Sequence, residues 1–280
     1  MSSGGTPSLT QHNELTEESN PMTELNPDRA RRAIVEHTRR LAESAAAAGP
    51  GAAVPNAPGW TVTELVEHVG QTQHWVADII ERRITDPAQL PTEMAVLPTD
   101  PYDWPAWLTS SARRVANACS DDALDAPVFN AAGDGRTGTR FWLASVLNES
   151  VVHGADAHNA AGRPAPVEPD IAAGLVTNHF AMLTSPTWAM MRSSSAEAIR
   201  GTGQTLQWRA TDISDAWLIE RRPDGATWRP GAGPADVSVT GPAGSLLLAL
   251  TRRRPPTDLT ITGDADLVRH WLDNTAHVAD

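Results

Sequence analysis

The sequence predicts an α+β protein, in which an antiparallel four-helix bundle is followed by a smaller α+β domain. A chain of 280 residues with 40% hydrophobic residues has enough material for one large core or two medium ones. In the first part of the chain, apolar residues recur at helical spacing in four segments that are separated by Pro- and Gly-rich loops, as in helix bundles. Later, short alternating runs such as TLQWRA and ADVSVTG indicate strands with a second core.

These patterns divide the chain into three parts. Residues 1–22 are polar and show no apolar periodicity, so we expect a disordered leader, and they lack the basic and apolar regions of a signal peptide. Met22 could itself be the translated start. Residues 23–175 are expected to form the bundle, and residues 176–280 the α+β domain.

The first and fourth helices have clear boundary signals. Asn26 is expected to cap the first helix, and Pro27 suits its first position. The fourth helix is expected to end at Gly162, with Pro164 beyond it. The third and fourth helices are predicted over the stretches AWLTSSARRVANAC and TRFWLASVLNESVVHGADAHNAAG.

The second helix has an unusually complete start signal. Thr61 is the expected N-cap, and Glu64 completes a capping box three residues later. Trp60 and Leu65 are placed to form the hydrophobic contact that often brackets such a cap. His68 lies on the inward, mostly apolar stripe of this helix, which makes it a candidate functional residue.

Composition limits the classes of partner. The formal net charge is −12 and every basic residue other than histidine is arginine, so nucleic acid and anionic membrane surfaces are not expected partners. No apolar stretch approaches the length of a membrane helix. Cys119 is the single cysteine, which excludes an intrachain disulfide and fits a reducing cytoplasm. We expect a cytoplasmic monomer that acts on small molecules.

The stretch NESVVHGADAH places polar residues on the inner face of the fourth helix. Glu149 and His153 are one helical turn apart, and Trp142 and Val146 precede them on the same face. A buried carboxylate requires a partner, and His68 on the second helix can face it. Asp156 continues the polar face.

Two histidines and one carboxylate form a ligand set for a divalent metal, with zinc and non-haem iron as the usual ions. Three protein ligands leave a coordination position open, as in catalytic sites. A buried hydrogen-bond network of the same residues is the alternative, because Glu-x-x-x-His pairs also arise by chance. His74 lies on another helix face, and Cys119 is expected to be a buried hydrophobe.

Two motifs together resemble the mycothiol-dependent maleylpyruvate isomerase family of the DinB-like superfamily. They are GWTVTELVEHVG at residues 59–70 and ESVVHGADAHNAAGRP at residues 149–164. The stretches VSVTGPAGSLLLALTRRRP and LTITGD are similar to the sterol-carrier-like second domain of that family. The resemblance covers about residues 25–278.

The resemblance implies a metal, expected to be zinc, bound by His68, Glu149 and His153, with Asp156 as an acidic residue beside the last ligand. It also implies an arginine from the second domain near the metal, which aligns with Arg253, although Arg252 and Arg254 are chemically equivalent. The family commonly has bulky residues after the last ligand. Here HGAD has Gly154 and Ala155 instead, which leaves the substrate open.

The implied cosubstrate is mycothiol or a similar low-molecular-weight thiol, whose thiolate attacks a small electrophilic metabolite. The reaction is expected to be S-transfer, thiol exchange or cis–trans isomerisation. An arginine from the second domain would hold a substrate carboxylate. A metal- or small-molecule-binding regulatory module without catalysis is the alternative from another class, and a metal hydrolase is a third candidate.

Overall fold

The computed structural model describes residues 25–275, so the predicted leader at residues 1–22 lies outside the described residues. The described part contains ten α-helices and one five-stranded sheet. The helices are α1 (Pro27–Ala48), α2 (Val62–Glu81), α3 (Trp104–Ala118), α4 (Asp121–Leu124), α5 (Gly138–Ala160), α6 (Pro169–Leu183), α7 (Pro186–Met191), α8 (Ser193–Ala198), α9 (Ala243–Leu250) and α10 (Ala265–Asn274). The strands are β1 (Thr205–Ala210), β2 (Ala216–Arg222), β3 (Gly225–Pro230), β4 (Val237–Gly241) and β5 (Thr260–Gly263).

The four-helix bundle is confirmed. It consists of α1, α2, α3 and α5: α1 packs against α3 and α5, and α2 packs against the same two helices. Helices α1 and α2 therefore lie diagonally across the bundle. This arrangement places α2 and α5, which carry the predicted ligands, side by side.

The predicted helix starts are confirmed at α1 and α2. The Asn26 side chain accepts a hydrogen bond of 3.0 Å from the Arg29 backbone N–H. At α2, the Glu64 carboxylate accepts the Thr61 backbone N–H at 2.8 Å and the Thr61 side chain accepts the Glu64 backbone N–H, which together form the capping box. Because the cap fixes where α2 begins, it also fixes the helix face on which His68 lies.

The sheet has the strand order β3-β2-β1-β4-β5, in which β1 and β4 are parallel and the other pairs are antiparallel. Trp208 at the centre of β1 pairs with Trp217 on β2 and Val239 on β4, and all three residues are fully buried. Helix α9 packs against β1, β4 and α6. The sheet is therefore covered on one face by helices, as expected for an α+β unit.

Helix α6 joins the bundle to the sheet. Buried residues of the bundle, α6 and the sheet form one continuous apolar cluster, so the separate second core expected from the sequence is wrong. The reason is that α6 is buried around most of its circumference and packs on both α5 and α9. The boundary predicted at residue 175 falls inside α6, and the division into two domains stays a prediction.

Among residues 25–275, no helix combines the length and the apolar character that crossing a membrane requires.

Candidate metal centre

His68, Glu149 and His153 come together between α2 and α5. One nitrogen of each histidine and one carboxylate oxygen all lie within 4.8 Å of one another. His68 Nε2 lies 3.0 Å from Glu149 Oε2, and His153 Nε2 lies 3.2 Å from the same oxygen. Both imidazoles thus present the same type of nitrogen to one carboxylate.

Helical spacing explains this convergence. Glu149 and His153 are one turn apart on α5, so their side chains project from the same face. His68 lies in the second turn of α2, which packs against that face. Its side chain is 37% exposed and that of Glu149 is 29% exposed, whereas His153 is buried. One side of the cluster is therefore open.

Asp156 and Arg253 form a hydrogen-bonded pair that contacts His153 of the cluster. His153 Nδ1 lies 2.9 Å from Asp156 Oδ2, and Asp156 is fully buried. Arg253 Nε and Nη2 donate to Asp156 oxygens at 3.1 and 3.0 Å. Because Asp156 occupies Nδ1 of His153, it fixes the ring orientation and leaves Nε2 facing Glu149, the arrangement found behind many metal-binding histidines.

Of the three candidate arginines, the structure brings only Arg253 to this cluster. Arg252 Nη2 donates to Asp273 at 2.9 Å, and Arg254 lies 4.0 Å from Asp258. Arg252 has a φ of 64° just after α9, and the Arg253 N–H then donates to Leu248 O at 2.7 Å. This tight helix end turns the Arg253 side chain back toward α5.

The pKa shifts of His153 and Glu149 indicate that these two groups form an ionised pair. Burial acts to lower the pKa of His153, but hydrogen bonds with Asp156 and Glu149 outweigh it and raise that pKa to about 9. Burial acts to raise the pKa of Glu149, yet hydrogen bonds from His153 and His68 hold that pKa well below its usual range. Glu149 is therefore a carboxylate, the form that can bind a metal.

The donor set fits a divalent metal ion. Two imidazole nitrogens and one carboxylate oxygen are common ligands of zinc and of non-haem iron. His153 already has a carboxylate on its other nitrogen, which orients it for binding. Among residues 25–275, no fourth histidine, cysteine, aspartate or glutamate joins the set, so a bound ion would keep an open position.

A pocket of about 300 Å³ adjoins the open side of the cluster. Its walls come from α2, from α5, from α6 and from the turn that follows α9. It therefore lies between the bundle and the sheet-bearing part. The pocket-lining residues other than the three ligands are Ser145, Asn148, Val152, Asn178, His179, Met182, Thr251 and Arg253.

Sequence reasoning missed two features of this site. Trp60 was assigned to packing against Leu65, but its ring stacks on His153 with centroids 5.9 Å apart at 21°, and its centroid lies 5.1 Å from that of His68. Asn178 and His179 line the pocket from α6. A partial signal was available, because they form the polar pair NH in the run IAAGLVTNHFAML, whose other residues apart from Thr177 are apolar.

Two other candidates lie away from the site. Cys119 is fully buried, and burial raises the pKa of its thiol to about 12. His74 contacts Trp107, with ring centroids 5.7 Å apart, and lies near Arg114. Neither residue lines the pocket, as expected from the sequence. Trp75 and Trp188 do not line it either.

Comparison with known proteins gives a family match over part of the chain and a fold. Residues 31–158 match the family model described as "Mycothiol maleylpyruvate isomerase N-terminal domain". The chain is 17% identical to the mycothiol-dependent maleylpyruvate isomerase in its crystal structure, with a TM-score of 0.56, over 86% of this chain and 95% of that chain. A single-residue variant of that isomerase matches over the same shares at 17% identity, with a TM-score of 0.53.

A UbiJ-SCP2 ubiquinone synthesis protein overlaps 40% of this chain and 93% of its own, at 20% identity. Its TM-score of 0.26 is too low to assign a fold to the sheet-bearing part. No curated protein sequence matched the chain. The family match covers the helices that carry His68, Glu149 and His153, and the structural match extends over the sheet. Residues 31–158 are therefore similar to the mycothiol maleylpyruvate isomerase N-terminal domain, and the chain has the fold of the isomerase.

Proposed function

We propose that the protein is a metal-dependent enzyme that uses mycothiol, or a similar low-molecular-weight thiol, as a thiolate nucleophile toward a small electrophilic metabolite. The product is either a thiol conjugate, as in a transferase or thiol-exchange reaction, or the isomerised metabolite. The observation that carries this proposal is the three-ligand cluster of His68, Glu149 and His153, whose open side faces a pocket. The match of residues 31–158 to the mycothiol maleylpyruvate isomerase family model supports mycothiol as the thiol.

A free thiol has a pKa of about 8.5 and is mostly protonated at neutral pH, whereas only its thiolate is nucleophilic. A divalent ion, expected to be zinc, would supply the positive charge that favours the thiolate when a thiol reaches it. His68, Glu149 and His153 would hold that ion, and Asp156 would keep His153 oriented toward it. Trp60 covers the two imidazole rings and restricts their movement.

Arg253 takes a different role from the carboxylate-binding one expected at first. Its Nε and Nη2 groups, which would grip a substrate carboxylate, donate to Asp156 instead. We assign it as a positioning residue, which holds Asp156 and through it His153. The physical reason is that Asp156 has no exposed surface, so its charge requires a buried cation.

A regulatory module that binds metal without catalysis is the alternative. Structural metal sites are usually closed by a fourth protein ligand. The cluster of three ligands beside a pocket favours catalysis over that alternative.

The test is a thiol-consumption assay with mycothiol and a panel of conjugated carbonyl compounds, followed by chromatography of the products. We expect thiol-dependent turnover that stops when the ion is removed by a chelator and returns when zinc is added. The His74→Ala variant is the matched control, because His74 lies on α2 outside the pocket. Turnover that is unchanged without thiol or without metal would contradict the proposal.

A further inference from the structure

We propose that a buried layer of four polar side chains sets the register between α2 and α5, and that Gln73 at its centre is a positioning residue for the contact between His68 and Glu149. The inference rests on the proposed function, because it concerns the ligands of the same metal site. The polar layer takes one residue from each helix of the bundle and consists of Thr38, Gln73, Ser111 and Ser150.

The polar layer interrupts apolar columns in the core of the bundle. On α2, Gln73 lies on the inward face between Val69 and Val76, and all three residues are buried. The other three members of the layer, like Gln73, have no exposed surface. Their apolar neighbours one turn away, which are also fully buried, are Ile34 and Leu41 on α1, Leu108 and Val115 on α3, and Val146 on α5.

Gln73 is hydrogen-bonded to each of the other three members. Its Nε2 donates to Thr38 Oγ1 at 2.8 Å and to Ser150 Oγ at 3.2 Å. Its Oε1 accepts a hydrogen bond of 2.6 Å from Ser111 Oγ. Ser150 Oγ itself donates to the carbonyl oxygen of Val146 at 2.8 Å. Both N–H donors of the Gln73 amide and its oxygen are therefore used, and each bond joins α2 to a different helix.

Stability alone does not account for a polar layer at this position. A hydrogen bond in the protein replaces one with water, so its net contribution to stability is modest. Apolar residues of similar volume often replace buried polar groups without loss of stability. A buried polar residue in an apolar helix seam fixes register instead, because a shifted helix would leave a buried donor without its acceptor. The polar layer therefore specifies one alignment of α2 with its neighbours.

The same alignment brings the metal ligands together. Ser150 directly follows Glu149 on α5, and Gln73 lies five residues after His68 on α2, a rise of about 7.5 Å along the helix. The Gln73–Ser150 bond and the His68–Glu149 contact of 3.0 Å thus join the same two helices at two levels. Apolar contacts between the helices are non-directional, so without the bond at Gln73 they would restrict sliding and rotation of α2 less strictly.

The test compares two serine-to-alanine substitutions in the polar layer. Ser150→Ala removes the bond between α2 and α5, whereas Ser111→Ala removes the bond between α2 and α3 and is the matched control. Zinc affinity of the full chain is measured by competition with a chromogenic chelator, and urea unfolding is measured on the metal-free proteins. We expect both variants to unfold at lower urea concentration than the parent. Zinc affinity should fall by about tenfold or more in Ser150→Ala and by less than about twofold in Ser111→Ala.

Gln73→Met removes all three bonds and keeps a side chain of similar length. We expect this variant to bind zinc about tenfold more weakly or worse, and its cobalt-loaded form to show shifted visible absorption bands, which report ligand geometry. In crystals of its metal-free form, the distance from His68 Nε2 to Glu149 Oε2 should exceed hydrogen-bond range. If Gln73→Met does not fold, Ser150→Ala supplies the same distance.

Two results would overturn the inference. One is an equal loss of zinc affinity in Ser150→Ala and Ser111→Ala, which would reduce the polar layer to a contribution to stability. The other is an unchanged contact between His68 and Glu149 in the variant that crystallises.

Failure of the proposed function has a different signature. A parent protein that binds zinc without thiol-dependent turnover would contradict the catalytic proposal, while the zinc affinities of the variants still test the polar layer. In a parent protein that binds no zinc, the distance between His68 and Glu149 decides the question, because the two side chains form that contact themselves.

Discussion

Arg253 donates hydrogen bonds from Nε and Nη2 to both carboxylate oxygens of Asp156, and this buried ion pair connects the turn after α9 to the helix that carries Glu149 and His153. Asp156 in turn contacts His153 Nδ1 at 2.9 Å. The chain of contacts therefore runs from the sheet-bearing part to a candidate metal ligand. A change in the packing of α9 would therefore alter the position of the His153 side chain through Arg253 and Asp156.

Breaking this pair from either side is expected to be costly. Asp156→Asn and Arg253→Gln should each lower the free energy of unfolding by about 3 kcal/mol, because each leaves an uncompensated buried charge. The double variant should cost less than the sum of the two, and urea unfolding of all four proteins measures the difference.

Arg252→Gln is the matched control. Its pair with Asp273 is at the surface and should contribute less than about 1 kcal/mol. Additive costs in the double variant would contradict the coupling.

The capping box at α2 offers a test that separates stability from the site. Thr61→Ala is expected to lower the free energy of unfolding by about 1 kcal/mol, because it removes a side chain of the helix cap. Metal content should be unchanged, since Thr61 does not contact the ligands. Urea unfolding and elemental analysis of the same preparation give both readouts. A loss of metal without further loss of stability would mean that the cap positions His68 more tightly than expected.

Helical spacing explains why much of the site could be predicted from sequence. The capping box fixed the start of α2 and hence the face of His68, and one-turn spacing placed Glu149, His153 and Asp156 on one face of α5. The buried hydrogen-bond network and the metal site use the same three side chains, which is why the sequence left both interpretations open.

The features that the sequence did not predict depend on contacts distant in the chain. Trp60 reaches His153 through packing that no local pattern encodes, and the polar pair at Asn178 and His179 did not by itself indicate which residues it would face. The boundary placed at residue 175 reflected a change from helical to alternating patterns nearby. Helix α6 crosses it because its apolar residues surround the helix and pack on both sides.

Cys119 is expected to be unreactive in the folded protein. Burial raises the pKa of its thiol to about 12, so almost no thiolate is present near neutral pH. A chromogenic disulfide reagent should detect no free thiol in the native chain and one free thiol after denaturation in urea. Cys119→Ala, which should detect none in either state, is the control. Rapid reaction of the native protein would show that the thiol becomes exposed by local opening.

His37 should make stability depend on pH. Burial lowers the pKa of this histidine, although Glu168, 2.9 Å from its Nε2, acts in the opposite direction. The folded state therefore takes up the proton less readily than the unfolded state, whose histidine has a pKa of about 6.5. The contribution of His37 to the free energy of unfolding is therefore complete above the pKa of the unfolded state. It is lost as the pH falls through the lower pKa of the folded state.

The measurement compares urea unfolding of the parent protein and His37→Asn at about pH 7.5 and about pH 5.5. Replacement removes the titrating group, so the variant should lose less stability on acidification than the parent. The difference between the two losses of stability is due to His37, because the other titrating groups are present in both proteins. One of these groups is His153, whose raised pKa makes stability depend on pH with the opposite sign. Equal losses in the two proteins would exclude His37 as a source of the pH dependence.

The metal ligands provide the most direct prediction. His68→Ala, Glu149→Ala and His153→Ala should each abolish stoichiometric metal binding, because each removes one of only three protein donors in the described cluster. His74→Ala and Cys119→Ala should keep the metal, since neither residue belongs to that cluster. Metal per chain is measured by mass spectrometry on all five variants and the parent, with circular dichroism as the check that each is folded. A folded ligand variant that keeps one ion per chain, or a parent protein that neither holds nor takes up zinc, would identify the cluster as a buried hydrogen-bond network instead.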